Sequence, residues 1–262
     1  MSDQFDSDEI DLRPMAWWTD FALAAMFLTR LRLPMRESAG MPALKRASRM
    51  FAVVGLFVGL AGGIVYAVAV ELGFASWLAA SFAVGATILL TGGLHEDGLA
   101  DTADGFAGGG TREDMLAIMR DSRIGSFGTL ALIFSVLLRV AALASLADIG
   151  IVIAALVAGH AASRAAMTAV MHALPNARSD GLSAGVGRPD RIAAGIGIAV
   201  AGIAALVLLQ GAGLLAIIIV AGAAAGIAWL AQRQIGGQTG DVLGATEQIA
   251  QAAFLAGLTL AI

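Results

Sequence analysis

The chain has 262 residues, of which 58% are hydrophobic and 14% are charged, and its formal net charge at pH 7 is −4. Soluble domains carry about 25% charged residues, so this chain has too few charges to cover a solvated surface, and a single polytopic membrane domain is expected. The acidic balance gives no support for nucleic-acid binding, and the lack of cysteine excludes disulfides and thiolate metal sites.

Seven apolar segments approach or exceed the length of about 20 residues that a membrane-spanning helix requires. They cover residues 51–70, 74–94, 126–147, 150–171, 192–210, 212–231 and 249–262, of which the last is short and could begin a few residues earlier. A shorter segment, 15–29, contains Asp20 and either crosses the membrane or lies at the interface, with Trp17 and Trp18 at the headgroup level. The expected fold class is therefore all-α, a polytopic integral membrane protein with about seven transmembrane helices and a short N-terminal helix.

Basic residues distinguish the two sides of this predicted bundle. Thirteen of the sixteen lysines and arginines fall in the four longer connections, 30–49, 95–125, 172–191 and 232–248. The short connections near Glu71, Asp148 and Gln210 carry none. Because basic loops favour the cytoplasmic side, we expect every long connection to face the cytoplasm. Residues 1–14 are expected to form an acidic flexible tail, and residues 15–262 one membrane-embedded domain.

The stretch GGLHEDGLADTADGFAGGG, residues 92–110, gathers four acidic residues and no lysine or arginine between apolar runs. As a helix continuing from the span at 74–94, it would place Asp97, Asp101 and Asp104 on one face. Three stacked carboxylates repel one another unless a cation lies among them, and Mg²⁺ binds through a few carboxylates together with substrate phosphates. We therefore expect a magnesium site for a diphosphate substrate. A solvated acidic loop is the alternative.

Other polar residues are candidates for binding the substrate. Arg120 and Arg123 lie three residues apart before the next span and could hold phosphate, although anchoring at the cytoplasmic surface explains their spacing equally well. His95 is a candidate ligand or a structural histidine. In the glycine-rich connection 236–248, Gln238 and Asp241 are candidates to hold a polar substrate, and Asp241 to complete the metal site.

Two arginines, Arg139 and Arg164, lie inside predicted spans, where a charged side chain is costly and faces the protein interior or a cavity. Arg164 is predicted to be a cavity-facing partner of the substrate or of the protein itself, and Arg139 to pair with a buried acid. The segment ARSDGLSAGVGRPDR, residues 177–191, is polar and glycine-rich. It is predicted to be a substrate lid, with an ordinary connector as the alternative.

Six sequence blocks run in order along nearly the whole chain. They are FLTRLRLPM (27–35), TGGLHEDGLADTADGF (91–106), MRDSRIGSFGTLAL (119–132), SR (163–164), ARSDGLSAGVG (177–187) and GGQTGDVLGATEQ (236–248). In these blocks the sequence resembles the cobalamin synthase family, the adenosylcobinamide-GDP ribazoletransferases. The first block departs from the family's Thr-Arg-Leu-Pro pattern by an inserted Leu-Arg.

The resemblance implies a multi-pass enzyme of the bacterial inner membrane with its active-site loops in the cytoplasm and residues 15–262 as its catalytic domain. It would join adenosylcobinamide-GDP to α-ribazole or its 5′-phosphate, give adenosylcobalamin or its 5′-phosphate, and release GMP, with Mg²⁺ required. We hypothesise that the 5′-hydroxyl of α-ribazole attacks the phosphorus attached to cobinamide. Asp97 and Asp101 would hold the metal together with Asp104, the third member of that face. Asp104 would in addition accept the hydroxyl proton.

Other functions are compatible with the same pattern. A membrane alcohol phosphotransferase or a prenyltransferase also uses aspartates at helical spacing on a diphosphate, and a transporter could bind cations through such a group. The acids, however, gather in a loop expected to be cytoplasmic, and the only charges inside predicted spans are two arginines. The expected partners are the small-molecule substrates and the lipid bilayer. Homo-oligomerisation and association with other enzymes of the pathway are left open.

Overall fold

The computed structural model describes residues 14–34, 43–146 and 148–262. These residues form eleven α-helices and one 3₁₀ helix, with no strand beyond an isolated bridge between Asn176 and Gln238. The helices are α1 (Pro14–Leu28), α2 (Ala43–Ala47), α3 (Phe51–Glu71), α4 (Ser76–Thr91), α5 (Leu94–Gly108), α6 (Arg112–Ile118), α7 (Ser126–Leu146), α8 (Ile149–Ala173), α9 (Leu182–Val186), α10 (Arg191–Ile235) and α11 (Gly240–Leu258), and the 3₁₀ helix is Ser48–Met50. The all-α prediction is confirmed. All but the last residue of the predicted tail 1–14 lies outside the described residues.

Among the described residues, four helical segments are long and apolar enough to cross a membrane. They are Ala43–Glu71, α7, α8 and α10, and a fifth is reached if the bent pair α4–α5 counts as one span. The chain is therefore a helical membrane protein, as predicted. The count of seven spans is not confirmed by these helices and stays a prediction.

The last long apolar helix, α10, is broken at Gln210, where the backbone leaves the helical region with φ 52° and ψ −132°. Ile198 and Ala228 line the same cavity, although a straight helix would separate them by about 45 Å. The two halves of α10 therefore fold back on each other. The break falls between the predicted spans 192–210 and 212–231.

Glycine permits the close packing of the central helices. A Cβ atom at Gly55 or Gly59 of α3 would clash with the backbone of α8 at His160 and Leu156. Small residues allow helix backbones to approach in this way inside membranes. The contact places α8, with its buried Arg164, in the middle of the bundle.

The N-terminal helix α1 is tied to the bundle through a buried acid. Asp20 is fully buried and accepts hydrogen bonds from Arg46 Nε at 3.1 Å on both oxygens, while Arg49 Nη2 lies 2.8 Å from Oδ2. The Arg49 guanidinium also lies 3.8 Å from the centre of the Trp17 ring. The acid in this short apolar helix is thus neutralised inside the protein. Both placements of α1, across the membrane or at its interface, stay predictions.

Two predictions about helix boundaries were wrong. Helix α5 does not continue the preceding span but turns by 91° from α4, because Gly92 and Gly93 both adopt left-handed φ values of 71° and 72°, which glycine permits without strain. The glycine-rich connection before the last span is also shorter than predicted. Helix α11 already begins at Gly240, since the Thr239 hydroxyl accepts a hydrogen bond from the backbone N–H of Val242 at 3.3 Å.

Candidate functional site

The turn at Gly92 and Gly93 lays α5 across α11, and two further glycines bring these helices into contact. A Cβ atom at Gly98 would lie 2.8 Å from the Asp241 carbonyl oxygen, and one at Gly244 would lie 3.2 Å from the Gly98 Cα. The close approach places the start of the acidic helix beside the start of α11. Aspartates of both helices therefore face a shared space.

Two cavities adjoin Asp97 of α5. The inner cavity has apolar walls and is bordered at its polar end by His95, Asp97, Arg178 and Asp241. The outer cavity is bordered by polar residues of α5 and of the connection before α7, including Asp97, Asp101, Arg120, Asp121 and Ser122. Asp97 lines both cavities, so its carboxylate lies at the boundary between them.

Asp97, Asp101 and Asp241, referred to below as the cavity carboxylates, come from two helices but influence one another. Helix α5, which carries four acidic residues, is not one of the four candidate spans. Partial burial, followed by the negative charges of Asp97, Asp241 and Asp104, raises the pKa of Asp101 to about 7. Among the described residues, Arg178 is the only cation close to the cavity carboxylates. Its Nη2 donates a hydrogen bond to Asp241 at 3.2 Å. The group therefore carries more negative charge than its surroundings neutralise.

Asp104 shares the face of α5 but has a different environment. Its buried carboxylate accepts hydrogen bonds from the backbone N–H groups of Gly125, at 2.7 Å, and Gly128, at 2.9 Å. Both oxygens are thus used to hold the N-terminal end of α7. The observed contacts give Asp104 a structural task. Its expected roles as base and as metal ligand stay predictions.

The carboxylates at the two cavities suit one way in which proteins bind Mg²⁺. Across residues 14–34, 43–146 and 148–262, no three His, Asp or Glu side chains are grouped closely enough to form a ready-made metal site. Mg²⁺ is usually held by one or two carboxylates, with substrate phosphates and water completing its octahedral shell. Asp97 and Asp101 at the outer cavity suit this mode, in which the phosphate arrives with the substrate.

The two candidate phosphate-binding arginines are not equivalent. Arg120 lines the outer cavity, and its Nη2 donates to both oxygens of Asp180 at 2.6 and 2.8 Å. The Arg123 side chain is 87% exposed and pairs with Asp121, two residues before it, at 2.6 Å. Arg120 is therefore placed to reach a ligand in the outer cavity, whereas Arg123 is engaged within its own connection.

Arg164 belongs to a group of charges enclosed within the bundle. Its Nη1 donates to Glu247 Oε1 at 2.7 Å, and both side chains are about 1% exposed. In the same region Arg139 Nη1 lies 3.3 Å from Glu96 Oε1, so Arg139 pairs with an acid as predicted. We refer to these two pairs, Arg164–Glu247 and Arg139–Glu96, as the buried ionic cluster. Of the two roles expected for Arg164, the geometry supports that of a structural partner.

His95 lies between the buried ionic cluster and the inner cavity. The side chain is 2% exposed, and its Nδ1 is 3.9 Å from Glu247 Oε2. Its other ring nitrogen, Nε2, is buried and has no hydrogen-bond partner among the described residues. An unpaired buried polar atom is costly, so this histidine is suited to contact a ligand.

The connection between α8 and α10, predicted to be a lid, is tied over the two cavities. Asp180 accepts from Arg120 and Arg178 donates to Asp241, as described above. Gln238 is fully buried and donates through its side chain to Asn176, while its Oε1 accepts from the Ser183 hydroxyl at 2.7 Å. Gln238, predicted to bind substrate, thus holds the connection in place.

Sequence reasoning assigned no role to Arg178 or to the aromatic wall of the inner cavity. Arg178 lies in the block 177–187 and Phe27 in the block 27–35, both of which carry the family resemblance. Phe51 belongs to a predicted span and gave no separate signal. The motif positions could have drawn attention to Arg178 and Phe27, but not to the cavity that they share.

Known proteins resemble the chain over nearly its whole length. The profile of the family described as cobalamin-5-phosphate synthase matches residues 20–259. An adenosylcobinamide-GDP ribazoletransferase of Bradyrhizobium diazoefficiens is 48% identical over 238 residues, which cover 90% of this chain and 91% of the relative. Relatives with the same name from Mesorhizobium japonicum and Azorhizobium caulinodans are 45% and 43% identical, over 94% and 92% of this chain and 95% of each relative. No solved structure matches.

Proposed function

Because the chain belongs to the cobalamin-5-phosphate synthase family, we propose that it joins adenosylcobinamide-GDP to α-ribazole, or to α-ribazole 5′-phosphate, and releases GMP. This is the late step of cobalamin biosynthesis that the names of its relatives describe. The alternative activities, alcohol phosphotransfer to a lipid, prenyl transfer and transport, are not those of the relatives named above. The observation that carries the proposal is the pair of cavities that share Asp97.

The chemistry requires a hydroxyl oxygen to form a bond with the phosphorus attached to cobinamide. The bond from that phosphorus to the bridging oxygen then breaks, GMP leaves with its electron pair, and the hydroxyl proton passes to the departing phosphate or to solvent. Attack by the 5′-hydroxyl, as hypothesised, is open only to unphosphorylated α-ribazole, because the 5′-oxygen of α-ribazole 5′-phosphate already carries the phosphate. With the phosphorylated acceptor another hydroxyl of the ribose would attack.

The outer cavity is suited to the diphosphate. Arg120 can exchange its hydrogen bonds with Asp180 for hydrogen bonds to a phosphate, since a guanidinium binds both groups in the same bidentate way. Asp97 and Asp101 would hold Mg²⁺, with Asp241 on the opposite side of the boundary. When bound there, Mg²⁺ would neutralise the diphosphate and the charge that develops on departing GMP. Mg²⁺ dependence is part of the proposal.

The cavities would open to the cytoplasm of a bacterium. The long connections that border them are those rich in lysine and arginine, which favour the cytoplasmic side of the inner membrane. The connection of residues 174–190 and the connection before α7 both belong to this side of the predicted topology. Water-soluble substrates would then reach the site without crossing the bilayer.

The proposal is tested with protein purified in detergent. Adenosylcobinamide-GDP and α-ribazole are supplied together and singly, with Mg²⁺ and after its removal by a chelator, and GMP release is measured. We expect GMP only when both substrates and Mg²⁺ are present. A folded protein that releases no GMP in the complete mixture would contradict the proposed function, whereas full turnover after chelation would contradict only the role of the metal.

A further inference from the structure

The walls of the inner cavity are unlike those of the outer cavity. Phe27 and Phe51 form part of them, with ring centroids 5.9 Å apart and an angle of 14° between the ring planes, and Met167 and Met171 add two thioether side chains. Flat aromatic groups pack favourably against aromatic rings and methionine sulfur. The enclosed part of the cavity measures about 140 Å³, less than the range of about 300–1,000 Å³ for small-molecule sites, so a ligand bound here would extend through the open mouth.

The polar end of the same cavity has hydrogen-bonding capacity that the protein does not use. Nε2 of His95 and Nη1 of Arg178 are both buried and have no hydrogen-bond partner within residues 14–34, 43–146 and 148–262. The two side chains belong to different elements, α5 and the connection after α8, and both border the cavity. A ligand with an aromatic body and a polar end would satisfy these atoms and cover the apolar wall at once.

We propose that the inner cavity binds the acceptor nucleoside, with its aromatic base against the phenylalanine and methionine wall and its ribose directed to Asp97 and Asp241. The assignment rests on the proposed function and deepens it. His95 is then a binding residue for the base or the ribose, and the shape of the apolar wall determines which bases are accepted.

The other reactant fits the outer cavity better. A diphosphate placed in the inner cavity would lie against an apolar wall, whereas the outer cavity offers Arg120 and the hydroxyl of Ser122. A corrinoid is too large for either cavity and would remain outside, with only its diphosphate arm entering. Asp97 lies where the two reactants would meet, because it is common to both cavities.

Single cysteines can distinguish the two cavities, because the chain has no cysteine of its own. Gly240 lines the inner cavity, and a Cβ atom there would have no neighbour within 4 Å among the residues that the structure describes, so Gly240→Cys is sterically tolerated. Ser122 is exposed and lines the outer cavity, so Ser122→Cys is the matched variant. Each purified variant is treated with a small thiol-specific reagent in the presence of α-ribazole or of GDP with Mg²⁺, and the rate of labelling is measured.

We expect α-ribazole, at about ten times its Kd, to slow labelling of Gly240→Cys about tenfold and to leave Ser122→Cys unchanged. GDP should protect Ser122→Cys and not Gly240→Cys. Protection of Ser122→Cys alone by α-ribazole would overturn the assignment, as would no protection of Gly240→Cys while wild-type protein releases GMP. Failure of the proposed function is distinguishable, because wild-type protein would then release no GMP.

A kinetic measurement keeps the assignment testable if Gly240→Cys does not fold. Met171→Phe narrows the inner cavity and should raise the KM for α-ribazole about tenfold, with the KM for adenosylcobinamide-GDP unchanged. Leu138→Phe, on the apolar face of α7 away from both cavities, is the matched control. A rise in the KM for adenosylcobinamide-GDP alone, or equal rises in both, would overturn the assignment.

Discussion

The buried ionic cluster and the cavity carboxylates lie close together but are organised in opposite ways. In the cluster each acid faces an arginine, as Glu247 faces Arg164 at 2.7 Å. Among the cavity carboxylates, Asp97 and Asp101 face other acids, and within the part of the chain that the structure describes only Asp241 has a close cation. Charges that are paired within the fold neutralise one another, whereas carboxylates that border a cavity among other acids are available to a metal or a substrate.

Asp104 shows that a position on the same face of α5 as Asp97 and Asp101 does not decide whether a carboxylate is engaged within the fold or available at a cavity. It lies one helical turn from Asp101, yet its carboxylate is occupied by backbone N–H groups of α7. The distinguishing property is therefore the environment of each carboxylate and not its position in the sequence pattern. The substitutions below test that distinction on each side.

Arg164→Met should have a large effect on stability, because it leaves Glu247 buried without its cation. Breaking a buried ion pair by removing one partner costs about 3–5 kcal/mol. We expect a much lower Tm in detergent and a low yield of monodisperse protein. Arg123→Met, at an 87% exposed side chain, is the control and should leave the Tm unchanged. Equal Tm values for the two variants would show that the cluster is not structural.

Asp97→Asn and Asp101→Asn should instead reduce turnover while the protein stays folded. A metal that stabilises transition-state charge contributes several kcal/mol, so we expect the rate of GMP release to fall about a hundredfold or more. The Tm should be unchanged or higher, since each substitution removes repulsion between acids. Glu113→Gln, at a 77% exposed acid of α6, is the control. Wild-type turnover in Asp101→Asn would remove this residue from the site.

Gly98→Ala tests whether the contact between α5 and α11 positions the cavity carboxylates. The added Cβ would lie 2.8 Å from the Asp241 carbonyl oxygen, and overpacking of this kind costs about 1–3 kcal/mol. We expect a lower Tm together with lower turnover, because the two helices must separate. Gly195→Ala, where a Cβ meets nothing within 4 Å, should change neither. Unaltered turnover in Gly98→Ala would mean that the spacing of these helices does not matter.

The smallest effects are expected for the ion pair between Arg120 and Asp180. Both side chains are more than half exposed, so the pair contributes about 1 kcal/mol or less to stability. Arg120→Ala should raise the KM for adenosylcobinamide-GDP severalfold, whereas Asp180→Ala should lower it or leave it unchanged, because it frees the arginine for phosphate. A KM that shifts in the same direction in both variants would contradict the proposed exchange of partners.

Local patterns in the sequence correctly predicted the helical class, the acidic helix and the pairing of Arg139 with an acid. The right-angled turn into α5 was missed, although consecutive glycines at positions 92 and 93 favour left-handed backbone. The partners of Asp104 and Arg164 were beyond local reasoning. Asp104 binds N–H groups more than 20 residues away, and Glu247 is 83 residues from Arg164. A single sequence shows no pattern for either pairing, because each pairing depends on how helices that are distant in the chain pack together.

The difference between the two charged groups can be measured most directly by electron paramagnetic resonance with Mn²⁺, which shares the preference of Mg²⁺ for carboxylate oxygens. Wild-type protein with GDP should bind Mn²⁺, and binding should be lost or greatly weakened in Asp97→Asn and Asp101→Asn but retained in Glu113→Gln. Mn²⁺ binding of wild-type strength in both aspartate variants would contradict the account.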